Sequence, residues 1–219
     1  MSRYRYVLFA IAALAVHVSL SAGGGVHYNS FKTDMTDIEV DQWLCKTSAT
    51  YATVAKEIKA RKDIRGYRFA SKDKIPRGMV DLVDGYLEIQ LNPKLSGPDR
   101  MTTLIFEMAN AARSGDHLEI DIAVDKGVIG TPEEFGIAHE LLEFEALRLH
   151  REVLIEIESR SGALPKEFYY FVTPAPRSIK DYQLPALHLY LKTLKESGHT
   201  AHYHKYFHIR KSQPPPKKQ

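Results

Sequence analysis

The chain has 219 residues, of which 44% are hydrophobic, and this is enough for the core of one ordinary domain. The formal net charge of +3 is too small to indicate a nucleic-acid-binding protein, and Lys and Arg are dispersed except in the tail RKSQPPPKKQ. The single cysteine, Cys45, excludes an intrachain disulfide and a zinc site built from cysteines.

The first residues have the pattern of a secretory signal. Arg3 and Arg5 form a short positive region, the apolar run VLFAIAALAVHVSL follows, and SLSAGGG offers small residues for cleavage. We therefore predict a signal peptide over 1–22 and export to the periplasm or the exterior, with an uncleaved N-terminal anchor as the weaker alternative. After cleavage, no stable membrane insertion is expected.

Helical spacing predicts a first helix over 41–63, and GYRFAS over 66–71 predicts a short strand. The segment MVDLVDGYLEIQLN predicts a hairpin, because Asp84-Gly85 suits a tight turn and the residues of 86–91 alternate between apolar and polar.

Five further helices are predicted after the hairpin. The first runs from Pro98 to about Arg113, and the second covers HLEIDIAVDKG, where the alternation LEIDIAV would also suit a strand but helix is favoured. The longest begins at Thr131-Pro132 and ends at Gly162. A further helix covers DYQLPALHLYLKTLKESG, and a short terminal one lies around AHYHKYF. This order predicts an α+β fold that is dominated by helix, with a small antiparallel sheet. We expect one domain over 26–210 and a disordered Pro/Lys tail over 211–219.

The segment TTLIFEMANAAR, residues 102–113, has the outline of a zinc-peptidase helix. In an H-E-x-x-H helix, two imidazoles one turn apart bind the metal and the glutamate activates a water molecule. Here Phe106 and Asn110 occupy the two histidine positions, and Glu107 occupies the position of the base. Phenylalanine has no lone pair to donate and an amide oxygen is a poor zinc ligand, so this helix cannot hold zinc in the usual way.

With the strand GYLEIQLN before it and a Glu-rich helix after it, this segment resembles the zincin-like metallopeptidases, especially the small metallopeptidase-like domains of exported bacterial proteins. TLIFEMANA corresponds to their x-x-[ILV]-H-E-[LM]-x-H-A pattern, and the resemblance covers about 79–157. It implies a zincin-like arrangement of strand, motif helix and Glu-rich helix. Of the motif residues only Glu107 carries over, as a vestigial base. Glu145 corresponds to the position of a further metal ligand.

Glu145 also falls inside the apolar arc of the long predicted helix, where a carboxylate costs several kcal/mol unless it finds a partner or a cation. It could accept a hydrogen bond from Asn110 or a tyrosine. The favoured interpretation is an edge residue whose carboxylate reaches water.

Two histidine-containing patterns are assigned no metal site. His139, Glu143 and His150 share one flank of the long helix, with Glu140 nearby, and we expect this flank to be solvated. In HTAHYHKYFH the interleaved aromatic residues predict a helix that packs on the body of the protein.

The preferred hypothesis is an exported pseudoenzyme that has lost catalysis, holds no metal and binds another macromolecule, expected to be a protein, through Phe106, Asn110 and Glu145. The first alternative is an active hydrolase with zinc or another divalent cation held by Glu107, His139 and Glu145. The second alternative is an unrelated helical envelope protein without a site. No nucleic-acid partner is expected.

Overall fold

In the computed structural model, the described residues are 35–95, 97–169 and 178–212. The predicted signal peptide and nearly all of the predicted tail lie outside them. The fold is α+β and dominated by helix, as predicted. The chain divides into two compact units, of which the first contains the described residues of 35–112 and 147–184 and the second those of 113–146 and 185–212. Among these residues, none of the helices is long and apolar enough to cross a membrane.

The first unit begins with two helices, α1 over Asp37–Thr47 and α2 over Ala49–Ala60, where the sequence predicts one. The break is at Ser48, whose backbone is extended and whose side chain accepts a hydrogen bond from the Tyr51 amide. Ser48 therefore ends α1 and caps the start of α2.

A three-stranded sheet consists of β1 over Tyr67–Ser71, β2 over Gly78–Val83 and β3 over Tyr86–Leu91. The predicted hairpin is present, with Asp84 and Gly85 both at positive φ in the turn between β2 and β3. The predicted all-antiparallel sheet is wrong, however, because β1 pairs in parallel with β3 and the order is β1-β3-β2. Alternation of apolar residues identifies the faces of a strand but not its neighbour.

Helix α3, over Gly97–Ala112, is the central helix of the first unit and contacts α2, β2 and β3. The eleven consecutive residues from Met101 to Ala111 are all buried. The sequence predicts one apolar arc on this helix, whereas every face of it is covered over three turns.

The first unit also contains the C-terminal half of α5, which spans Pro132–Ser161, and two short 3-10 helices over Lys166–Tyr169 and Ile179–Asp181. The Glu158 carboxylate accepts hydrogen bonds from the Ser178 hydroxyl at 2.6 Å and from the Ile179 amide at 3.2 Å. These bonds fix the second 3-10 helix to α5.

The second unit contains α4 over Ser114–Asp125, the N-terminal half of α5, α6 over Leu187–Ser197 and α7 over His199–Lys211. The start of α5 is as predicted, with Thr131 and Glu134 capping each other. Residues 113–146 carry nine Asp and Glu against two Lys and Arg, whereas 185–212 carry five Lys and Arg against one Glu. The unit therefore joins an acidic half to a basic half.

Candidate functional site

The three predicted motif residues of α3 are deeply buried. Phe106 is 0% exposed, Asn110 is 1% exposed and Glu107 is 2% exposed. The ring of Phe106 packs edge-on against the imidazole of His150, with 6.4 Å between the ring centroids. An aromatic contact thus occupies the position where the resemblance would place a histidine ligand. A binding role for Phe106 and Asn110 stays a prediction.

Glu107 lies against β2 at a point where only glycine fits. A Cβ atom added to Gly78 would be 2.8 Å from the Glu107 Cγ and 2.8 Å from the Thr103 Cγ2. Contacts below about 3 Å do not occur between unstrained carbon atoms, so β2 can approach α3 this closely only through Gly78. The side chain of Glu107 is therefore confined between a helix and a strand.

His150 is also buried, at 1% exposed, and the prediction that it belongs to a solvated flank is wrong. Its Nε2 lies 2.7 Å from the Thr102 hydroxyl, which donates to the Phe168 carbonyl at 2.9 Å. Since the hydroxyl has one proton, Nε2 is the donor to Thr102. Burial lowers the pKa of His150 to about 3.

The other members of that predicted flank are buried in the second unit. His139 is 3% exposed, Glu140 is 1% exposed and Glu143 is 0% exposed. The prediction of solvation is wrong here because these side chains face the polar groups of α4 and α7. The Glu143 carboxylate accepts a hydrogen bond from the Tyr203 hydroxyl at 3.1 Å. The predicted packing of α7 through its aromatic residues is confirmed, with Tyr203 and Phe207 buried.

His139 is the centre of a buried polar cluster. Its Nδ1 lies 2.7 Å from the Nδ1 of His117, and its ring stacks on Tyr203 with 4.6 Å between centroids. Phe135 packs edge-on against the same ring. Burial lowers the pKa of His117 to about 3 and lowers the pKa of His139 well below its ordinary value. Both rings are therefore neutral at physiological pH.

Asp121 is the acidic member of this cluster. Its Oδ2 accepts hydrogen bonds from Arg210 at 2.9 Å and from the Tyr206 hydroxyl at 3.2 Å. Its Oδ1 lies 3.9 Å from the Nε2 of His139, too far for a hydrogen bond. Burial raises the pKa of Asp121 to about 6 although the charge of Arg210 opposes that effect.

A second polar contact joins α5 to the start of α7. The Glu140 carboxylate lies 2.8 Å from the Nδ1 of His199 and accepts a hydrogen bond from the Thr200 hydroxyl at 3.2 Å. Burial by itself would lower the pKa of His199, but the hydrogen bond and the charge of Glu140 outweigh it and the pKa is raised. This pair is an ion pair when His199 is protonated.

Several buried atoms of the second unit have no hydrogen-bond partner among the described residues. They are the Nε2 atoms of His117, His139, His199 and His204, the Oδ1 of Asp121, the Oε2 of Glu140 and the hydroxyl of Tyr190. Native proteins leave few buried polar atoms unpaired, so each such atom calls for a physical explanation. The atoms of His117, His139 and Asp121 among them belong to one group of adjoining side chains, and this cluster is the candidate functional site.

The predicted alternative metal ligands belong to different units of the chain. Glu107 belongs to the first unit, whereas His139 and Glu145 belong to the second. The side chain of Glu145 is 37% exposed and lies 3.8 Å from the Arg113 guanidinium, which agrees with the interpretation as an edge residue. In the described part of the chain, no three or more His, Cys, Asp or Glu side chains are grouped so that they could hold a metal ion.

The sequence did contain a signal for the cluster. His117 and Asp121 are one turn apart on α4, and His139, Glu140 and Glu143 recur at helical spacing on α5. What sequence could not provide is that α7 supplies Tyr203 and Arg210 to the same interior.

No protein-family model, no curated protein and no solved structure matches this chain.

Proposed function

We propose that this is an exported protein with a degenerate metallopeptidase-like domain, which does not catalyse peptide hydrolysis and acts by binding another protein. The residue types at the motif positions support the loss of catalysis. Phe106 and Asn110 stand four residues apart, as paired zinc ligands do, and neither provides the imidazole nitrogen that zinc requires.

The burial of Glu107 is the observation that carries the proposal. A general base must contact the water molecule or substrate from which it takes a proton. At 2% exposed and packed against Gly78, Glu107 is enclosed by the fold, which supports the loss of a general-base role.

Exposed apolar side chains of the second unit support a protein partner. Ile137 and Leu141 are 40% and 39% exposed, and they lie one turn apart on one face of α5. They belong to the acidic segment 113–146, which would repel the phosphates of a nucleic acid. As the structure stands, these side chains are better placed for a partner than Phe106 and Asn110, which are buried.

The alternative is a metal-dependent hydrolase that uses His139. The observation that favours it is the Nε2 of His139, which is buried without a hydrogen-bond partner among the described residues beside an oxygen of Asp121. Against it, His139 is 3% exposed, so a substrate would need the second unit to open.

Hydrolysis of a casein substrate and of a peptide library by the purified protein, with and without added Zn²⁺ or Mn²⁺, tests the proposal. We expect no hydrolysis above that of a heat-denatured sample, and no change in Glu107→Gln. Hydrolysis that Glu107→Gln abolishes would reject the proposal, and hydrolysis that only His139→Gln abolishes would establish the alternative. Glu152→Gln, which changes an exposed carboxylate on α5, is the matched control.

A further inference from the structure

We propose that one end of the first unit binds the surface of a membrane that contains anionic lipids, without inserting a helix into it. This surface consists of the start of α1, the last turn of α2 and the loop from α2 to β1, and we call it the basic end. Its cations are Lys56, Lys59, Lys62 and Arg65, and its apolar member is Ile38. All five side chains are exposed.

The basic end concentrates positive charge that the composition of the whole chain conceals. Residues 56–65 carry five Lys and Arg against two Asp and Glu, a net charge of +3 in ten residues, and the whole chain of 219 residues has the same net charge of +3. Of the two acids, Asp63 forms an ion pair with Arg61. Among the residues that the structure describes, the side chains of Lys56, Lys62 and Arg65 form no hydrogen bond or ion pair. Their charges can therefore attract an anionic surface.

Stabilisation of α2 explains only part of this pattern. A lysine in the last turn of a helix interacts favourably with the partial negative charge of the helix C-terminus, and this accounts for Lys59. However, α2 ends at Ala60, and the effect of the helix dipole is limited to the terminal turn. Because Lys62 and Arg65 lie beyond that turn, the helix does not account for their charge.

Contacts within the first unit hold the backbone of the basic end in place. Lys56 and Lys59 are three residues apart on α2 and therefore share a face. The Lys59 ammonium lies 4.9 Å from the centre of the Tyr67 ring at the start of β1. The Arg65 amide donates a hydrogen bond to the Gly85 carbonyl at 2.7 Å, which joins the loop after α2 to the turn of the hairpin. The cations are thus carried by a fixed part of the fold.

An exposed apolar side chain lies at the same end. The Tyr67 hydroxyl donates to the Asp41 carboxylate at 3.0 Å, so the start of β1 adjoins the first turns of α1 as well as the end of α2. Ile38 is one turn before Asp41 on α1 and is 59% exposed. Cations beside an exposed isoleucine suit a bilayer surface, where lipid phosphates attract the cations and the apolar side chain enters the interface. A soluble polyanion would offer the isoleucine no such environment.

Cosedimentation with lipid vesicles tests the proposal, using the chain from residue 23 onwards, which lacks the predicted signal peptide and keeps every described residue. At low salt we expect binding to vesicles of equal parts phosphatidylcholine and phosphatidylglycerol, and none to phosphatidylcholine alone. The binding should disappear at about 1 M salt, where charges are screened beyond about 3 Å. Changing Lys56, Lys62 and Arg65 together to Gln should lower the partition coefficient on the order of 100-fold, at about fivefold per cation. Ile38→Ser should lower vesicle binding and leave any binding of soluble polyphosphate unchanged.

The matched control changes three exposed lysines of the second unit to Gln and should leave vesicle binding unchanged; they are Lys126, Lys192 and Lys205. All substituted side chains are exposed, and circular dichroism checks that each variant folds. Equal losses in the two triple variants would overturn the proposal, because binding would then follow total charge and not the basic end. Failure to bind the mixed vesicles would also overturn it, and binding of polyphosphate without vesicles would indicate a soluble polyanion instead.

Discussion

The interior around α3 in the first unit and the cluster around His139 in the second unit both bury acids and imidazoles, but they surround them differently. Near α3, the His150 ring meets an aromatic ring and a threonine hydroxyl, and Glu107 lies against a glycine. Around His139 the neighbours are another imidazole, a tyrosine ring and the carboxylate of Asp121, which also accepts a hydrogen bond from Arg210. The side chains around α3 are closely packed against their neighbours, whereas the cluster around His139 places imidazole nitrogens and carboxylate oxygens beside one another in the interior.

This difference shows that residues at the positions of a metal-binding motif need not lie among side chains with ligand chemistry. The segment that resembles a metal helix holds a phenylalanine and an asparagine in the core, while the side chains with metal-binding chemistry gather elsewhere. Substitutions that change side-chain volume in the first unit and side-chain charge in the second unit test this difference.

The largest effect is expected from Phe106→Ala. Removing a fully buried phenylalanine leaves a cavity and should lower the free energy of unfolding by about 3–5 kcal/mol, whereas Phe106→Leu should cost much less. Urea denaturation followed by circular dichroism measures both. A cost below about 1 kcal/mol for the alanine variant would contradict a packing role for this position.

Arg210→Met should cause the second-largest loss of stability, because it leaves the buried carboxylate of Asp121 without its cation. Breaking a buried pair of this kind costs about 3 kcal/mol or more. The matched control is Lys192→Met, which removes an exposed pair with Glu196 worth roughly 0.3–0.5 kcal/mol. Thermal unfolding of both variants at one pH measures the loss of stability in each. Equal losses would show that the ion pair between Arg210 and Asp121 is not buried.

Gly78→Ala should destabilise the first unit by about 1–3 kcal/mol, since the new Cβ would overlap Glu107 and Thr103. Gly130→Ala is the control, because a Cβ there would meet only a Glu134 oxygen at 3.9 Å. The difference between their urea midpoints is the measurement. If the two variants are equally stable, Glu107 is not confined by β2.

Acidification should act through His150. Its pKa is lowered to about 3 in the folded protein, whereas the unfolded chain binds the proton near pH 6.5. The stability that the neutral ring contributes is therefore complete above pH 6.5 and is lost as pH falls towards 3, by about 1.4 kcal/mol per pH unit. Wild type should lose about 2 kcal/mol more than His150→Gln between pH 7 and pH 5. Parallel pH profiles of the two proteins would contradict the burial of this imidazole.

Local signals predicted much of the fold. The turn at Asp84-Gly85 and the start of α5 at Thr131 are set by residues that are neighbours in the sequence, and both are present. The break at Ser48 was missed because the apolar spacing continues across it. The parallel pairing of β1 with β3 depends on which edge of the hairpin is open, which periodicity does not encode.

The candidate site was missed for a different reason. A helical wheel treats His139, Glu140 and Glu143 as solvent-facing because they are polar. Glu140 and Glu143 are covered by His199 and Tyr203, which lie about 60 residues later in the chain. Only tertiary structure shows that the polar faces meet.

Zinc content by mass spectrometry, on the full chain after equilibration with Zn²⁺ and gel filtration, tests the central claim most directly when wild type is compared with Glu107→Ala and His139→Gln. We predict no stoichiometric zinc in the wild type or in either variant, because Phe106 and Asn110 provide no imidazole nitrogen at the motif positions. Stoichiometric zinc that disappears in Glu107→Ala and persists in His139→Gln would contradict the account, because it would place a working metal site on α3.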